Sequence, residues 1–124
     1  MDITPLTPKG KPTITGYGDG KFRVSGEDYH TSILIFPDRV VQWTIAQGAP
    51  ITLESLNVVL EEEGEIDIVL IGSGKKQFIL PPMIKSALKE VGIGLEIMDT
   101  GAACRTFNVL QSEGRRVAAA LVVV

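Results

Sequence analysis

The residues most suggestive of chemistry in this chain stand at 95–108, LEIMDTGAACRTFN, where an apolar run meets Asp99-Thr100-Gly101. D-T-G after an apolar strand is the catalytic strand-loop signature of aspartic proteases, in which two carboxylates face one another and share a proton. That chemistry makes demands on the flanks. A long stretch of β structure has to follow the signature to form the flap and brace the aspartate, yet only 23 residues follow Gly101. Those residues also have the wrong period, since Ala103, Phe107 and Leu110 recur along one side of a helix and not in two-residue alternation. The motif is therefore expected to end a strand and open a helix, with Asp99 or Thr100 as N-cap and Gly101 permitting a tight turn.

The elements that would position this junction follow the same logic. Three isoleucines, one valine and one leucine in IDIVLIG (66–72) make a continuous β-branched run ending in glycine, as in a strand buried on both faces. Pro81-Pro82 opens a helix carrying Ile84, Leu88 and Val91 on one side, and Gly92 closes it. LEIMD is a second strand expected to be buried, Gly101–Glu113 a helix, and Val117–Val124 a last apolar strand. Upstream, Thr52 caps a helix whose apolar face holds Leu53, Leu56, Val59 and Leu60; Glu61-Glu62-Glu63 and Gly64 end it as a solvated terminus. Phe22 and Val24 alternate with Lys21 and Arg23, Ser25–Asp28 turns the chain, and Tyr29–Phe36 continues as a strand; Val40–Ile45 is a third. Gly16, Gly18 and Gly20 read as a flexible lead-in loop; with no helix after them they lack the anion affinity of a phosphate loop. The expected architecture is α/β: three layers, a mixed and mostly parallel central sheet with helices packed on it, and an N-terminal hairpin or meander. Residues 1–13, with three prolines, are expected as an extended arm, and 14–124 as a single domain.

In open α/β sheets, ligands bind beyond the carboxyl ends of adjacent strands. If IDIVLIG and LEIMD are parallel neighbours, one sheet edge gathers a candidate crevice from Gly72, Ser73, Gly74, Lys75 and Gln77 on one loop. Asp99, Thr100, Cys104, Arg105 and Asn108 supply the other side. GSGKK lacks the spacing of a nucleotide-binding P-loop, and its glycines fit a tight turn. Cys104, in a first helical turn beside Arg105, is either an activated thiol or a small buried residue near Phe107. Arg105 is expected to pair with Asp99 in preference to holding an anion. His30, the one histidine, falls on an exposed strand position. Trp43, Phe36, Tyr29 and Tyr17 are either core beneath the hairpin or an exposed aromatic patch for a partner.

Bulk composition bounds the function. With 44% hydrophobic and 22% charged residues the chain is globular, and at 124 residues folding removes roughly two-thirds of the unfolded surface. Net charge is −3, so nucleic acid is a poor partner overall despite the Lys75-Lys76 pair. A single cysteine and a single histidine support neither a bridge nor a Cys/His zinc site, and no cofactor motif is present. The longest apolar run, Val117–Val124, is eight residues, too short for a transmembrane helix, and a soluble, cytoplasmic protein is expected.

GYGDGKFRVSGEDY, SILIFPD, VVQW, VLIGSGKKQ, LPP, GIGLEIMDTGAACRTFNVL and GRRVAAAL, in that order, resemble the Mth-type domain family of unknown function over about residues 14–123. Relatives of that family include the mitochondrial NADH dehydrogenase (complex I) assembly factor 3. The resemblance implies a three-layer α/β fold on a mixed sheet and, by analogy, a non-catalytic interaction or assembly factor working through protein partners. Gly72, Gly74, Gln77, Pro81, Asp99, Thr100, Gly101, Ala102, Arg105, Thr106 and Asn108 fall within its motifs. The alternative reading is an enzyme that binds a small polar metabolite in the crevice.

Overall fold

The computed structural model describes residues 11–45, 49–75 and 80–124. Among the described residues, eight strands in two sheets and three α-helices succeed one another. Strands β1 (Ile14–Gly18), β2 (Lys21–Val24) and β3 (Glu27–Tyr29) form an antiparallel meander. A five-stranded sheet follows in the order β5-β4-β8-β6-β7, from β4 (Ile33–Ile35), β5 (Val40–Gln42), β6 (Ile68–Gly72), β7 (Gly94–Met98) and β8 (Val117–Leu121). β6 pairs in parallel with both β7 and β8, whereas β4 runs antiparallel to β5 and β8. The sheet is mixed, as expected, but parallel and antiparallel ladders balance, because the short β4–β5 hairpin caps the edge of the parallel unit.

Alternation along the strands sorts the core into two halves. Leu34, Val69, Ile71, Ala118, Ala120 and Val122 point to one face, packed under a 3-10 turn (Glu54–Leu56), α1 (Asn57–Leu60) and α2 (Pro82–Glu90). Ile33, Ile35, Leu70, Val117, Ala119 and Leu121 point to the other, under α3 (Thr100–Ser112) and the meander's Ile14, Phe22 and Val24. The result is three layers. The alanines at 118–120 on the central β8 let helices come close on both sides.

Three expectations need correction. Ile14–Gly18 is a strand, not a lead-in loop: Asp19 (φ 54°) and Gly20 (φ 76°) form a two-residue turn whose left-handed pair matches the twist of a hairpin, and Ser25 (φ 49°) with Gly26 (φ 88°) repeats it. Tyr29–Phe36 is not one strand but two, divided between the sheets at His30–Ser32. β7 is an edge strand, so its residues are only partly covered, unlike the fully buried strand that LEIMD suggested. Trp43 is buried, its Nε1 donating to the Ser55 carbonyl at 2.8 Å, and Phe36 is buried beside it in the core; the aromatic patch does not form from them. The expected arm falls mainly on residues outside those described.

The junction that matters for the site is held by Thr100, which is fully buried. Its Oγ1 donates to the Val122 carbonyl at 2.7 Å and accepts from the Gly74 N–H at 2.9 Å, while its own N–H donates to the Gly74 carbonyl at 2.8 Å. Gly72 is required alongside it: a Cβ there would stand 3.0 Å from Thr100 Cα and 3.0 Å from Leu121 Cδ2. Thr100→Val keeps the shape and deletes the hydroxyl, leaving two buried backbone groups short of a partner. It should cost about 2–4 kcal/mol, read as a lower urea midpoint at unchanged slope.

Candidate functional site

The D-T-G segment is the helix opening expected of it. Asp99 is the N-cap of α3, extended in backbone (φ −64°, ψ 161°), and its carboxylate accepts from the Ala102 N–H at 2.8 Å. A capping oxygen replaces one of the hydrogen bonds that the first helical turn cannot make for itself. Gly101 lies within the helix, so it serves no tight turn. Its missing side chain makes room for Tyr17: a Cβ would meet the ring at 3.1 Å and the hydroxyl at 3.0 Å. Tyr17 thus lies across the first turn of α3, and its hydroxyl accepts from Arg105 Nη1 at 2.6 Å.

Around this contact is an open cleft of about 710 Å³. It is lined by Tyr17 and the β1–β2 turn (Gly18, Asp19, Gly20), and by Gly74 and Lys75 from the loop after β6. The N-cap Asp99, Gly101 and Arg105 of α3, and Val124 line it too, and the Val124 main-chain oxygen accepts from the Gly20 N–H at 2.7 Å.

The structure therefore brings together Gly74, Lys75, Asp99 and Arg105 from the expected crevice. Gly72 and Ser73 lie just behind it; Ser73 donates from both N–H (2.9 Å) and Oγ (3.2 Å) to the Met98 carbonyl, stitching the two strand ends together. Thr100 is buried beneath, as described. Gln77 lies outside the described residues. Asn108 is directed elsewhere: its Oδ1 accepts from the Ile14 N–H at 3.0 Å and its Nδ2 donates to the Ile14 carbonyl at 2.7 Å, clamping β1 onto α3.

One chemical expectation is overturned, and the Cys104 alternative is decided in favour of a small buried residue near Phe107. Asp99 and Arg105 form no ion pair, because Asp99 is taken up by the helix cap and Arg105 by Tyr17. Cys104 is not an activated thiol: it is buried among Ala103, Phe107 and Leu121, and burial, aided by the Asp99 charge and opposed by Arg105, pushes its pKa up to about 12. Burial outweighs the helix dipole and the adjacent cation. Sequence reasoning missed Tyr17 and the β1–β2 turn as parts of the site; the Asp19-Gly20 dipeptide was the available signal. No group of three His, Cys, Asp or Glu side chains able to hold a metal occurs among the described residues, and no helix among them is long and apolar enough to cross a membrane.

A family described as a protein of unknown function (DUF498/DUF598) matches residues 14–122. The chain belongs to this family. Among relatives, the mouse (Mus musculus) NADH dehydrogenase (ubiquinone) 1 alpha subcomplex assembly factor 3 is 37% identical over 109 residues, 88% of this chain and 59% of that protein. The chain thus spans about three-fifths of the length of that curated relative. Among solved structures, an outer membrane protein from Bartonella henselae is 38% identical with a TM-score of 0.87, over 93% of this chain and 97% of that one. A Bordetella pertussis protein described as an Mth938-like domain is 29% identical with a TM-score of 0.76, over 98% of this chain and 89% of that one. The Mth-type resemblance read from the motifs and the three-layer DUF498/DUF598 fold agree.

The buried thiol has a consequence for pH. Its folded pKa, about 12, lies above its ordinary 9.0, so the unfolded chain loses this proton first. Stability from this group is whole below about pH 9 and declines as pH rises toward 12, by an amount on the order of a few kcal/mol. Cys104→Ala should flatten the decline over that interval relative to the parent, measured by urea unfolding at stepped pH; parallel curves would contradict the burial of the thiol.

Proposed function

We propose that this DUF498/DUF598 chain is a non-catalytic protein-interaction or assembly factor, linked to the biogenesis of a respiratory or other membrane complex, with the cleft as its contact surface. In this reading residues 14–124 act as one domain, working from the cytoplasm. The observation that carries it is the 37% identity, across most of the chain, to a protein named as an NADH dehydrogenase assembly factor. The site geometry supports it, because groups that could have done chemistry are used to build the fold: Asp99 caps a helix, Cys104 is a buried neutral thiol, Thr100 bridges backbone and Asn108 clamps β1.

A second reading draws on the size of the cleft, which at about 710 Å³ lies within the range of small-molecule sites. In that reading a polar metabolite binds between the 74–75 loop and α3, and the chain is an enzyme. The commitment of Asp99 to the helix cap and of Cys104 to the core weighs toward the first.

Deletion of the gene in its own host tests the assembly role. Fully assembled respiratory NADH dehydrogenase on native gels should fall at least severalfold. Expression of the parent chain should restore it, whereas a folded double variant, Tyr17→Ala with Arg105→Glu, should not. An unchanged amount of complex after deletion would overturn the proposal.

A further inference from the structure

Arg105 is handled unlike the other arginines whose hydrogen bonds define surface pairs. Arg23 pairs with Asp28 at 2.9 Å, Arg39 with Asp38 and Glu62 at 3.0 and 3.2 Å, and Arg116 with Asp67 at 2.7 Å. Arg105 instead donates to a neutral phenol, Tyr17, at 2.6 Å, and no carboxylate among the described residues lies within ion-pair distance of it. A phenol fixes the direction of a guanidinium without neutralising its charge. The fixing is built in from below, because Gly101 carries no Cβ and so admits the Tyr17 ring against α3.

The arrangement leaves hydrogen-bond donors facing outward. A guanidinium has five N–H groups, of which one is committed to Tyr17. The Tyr17 oxygen accepts that bond, and its own hydrogen has no acceptor among the described residues. Both groups line the same open cleft, as does Lys75. We propose that Tyr17 and Arg105 form a fixed donor fork that receives a single carboxylate side chain presented by a segment of the partner protein, a proposal that rests on the interaction role argued above.

Charge and chemistry select this ligand class. Planar forks of N–H and O–H donors match the two oxygens of a carboxylate, and a charge-assisted pair is about twice as strong as a neutral one. Among its side chains the cleft also holds Asp19 and Asp99 against Lys75 and Arg105, two acids to two cations. A singly charged carboxylate is compatible with that balance, whereas a phosphate, with more charge, meets repulsion from both acids.

Titration of the 15N-labelled protein, followed by NMR, tests the fork. The probes are the capped peptide acetyl-Gly-Asp-Gly-amide, its Asn counterpart, sodium acetate and inorganic phosphate. The acidic peptide should give saturable shifts at the Arg105 side-chain Nε–H and at the amides of Gly74, Lys75 and Gly101. The Asn peptide and phosphate should bind at least roughly tenfold more weakly, and acetate between the two extremes. Arg105→Gln should abolish the shifts, and Tyr17→Phe, which keeps the ring and removes the hydroxyl, should weaken binding by roughly tenfold with the amide spectrum otherwise intact. Equal binding of the Asp and Asn peptides, tighter binding of phosphate, or undiminished binding by Arg105→Gln would each overturn the proposal. Acetate binding as tightly as the peptide would overturn the partner-protein source. Loss of complex assembly on deletion together with failure of the titration would sink the fork and leave the assembly role standing; the converse result would do the opposite.

Discussion

The hydroxyl of Thr100 is the point on which the functional end of the molecule depends. It joins three pieces of chain that are far apart in sequence: the turn after β6 through the Gly74 N–H, the end of β8 through the Val122 carbonyl, and the first turn of α3, on which it sits. A buried hydroxyl with one donor and two acceptor positions is costly unless filled, and here a donor and an acceptor on opposite sides fill it. The Gly74 carbonyl meets the Thr100 N–H, one of the orphan donors of a helix start. Helix α3 is therefore fixed to the sheet at its beginning, and the direction in which Arg105 leaves it follows.

The same helix also carries the meander. Asn108 takes both backbone groups of Ile14, two hydrogen bonds that a strand neighbour would otherwise supply, and so stands in for a missing ladder at the edge of β1. Gly101 takes the other end of β1 by admitting Tyr17. With Asn108 and Gly101 roughly two turns apart, β1 is attached at two points along one helical face. The aromatic ring at the cleft is thus positioned by the fold as a whole and not by a flexible loop.

This division explains what was legible from sequence. The parallel unit was readable because IDIVLIG, the Pro81-Pro82 helix and the D-T-G junction each carry a local signal that burial reinforces. An N-cap at Asp99 or Thr100 followed from spacing, and the structure places it at Asp99. The meander was only half readable, since GYGDG has the composition of a loop; its strand character comes from pairing with β2 and from the Asn108 clamp, neither of which lies nearby in sequence. Cys104 stood between two readings for a related reason. First-turn position and an adjacent arginine are local features, whereas its burial depends on β8 and the meander closing over it.

The missing Asp99–Arg105 pair shows how small energies decide a site. An N-cap hydrogen bond is worth about 1 kcal/mol, and an exposed ion pair about 0–1 kcal/mol after the loss of side-chain freedom. Were Asp99 to turn toward Arg105, the Ala102 N–H would be left to solvent, and the exchange would gain little or lose. Tyr17 shifts the balance further, because it offers Arg105 an acceptor at 2.6 Å that is already held in place by the glycine beneath it. The carboxylate stays with the helix, the guanidinium stays with the phenol, and the cleft keeps a directed positive charge that no side chain among the described residues neutralises at ion-pair distance.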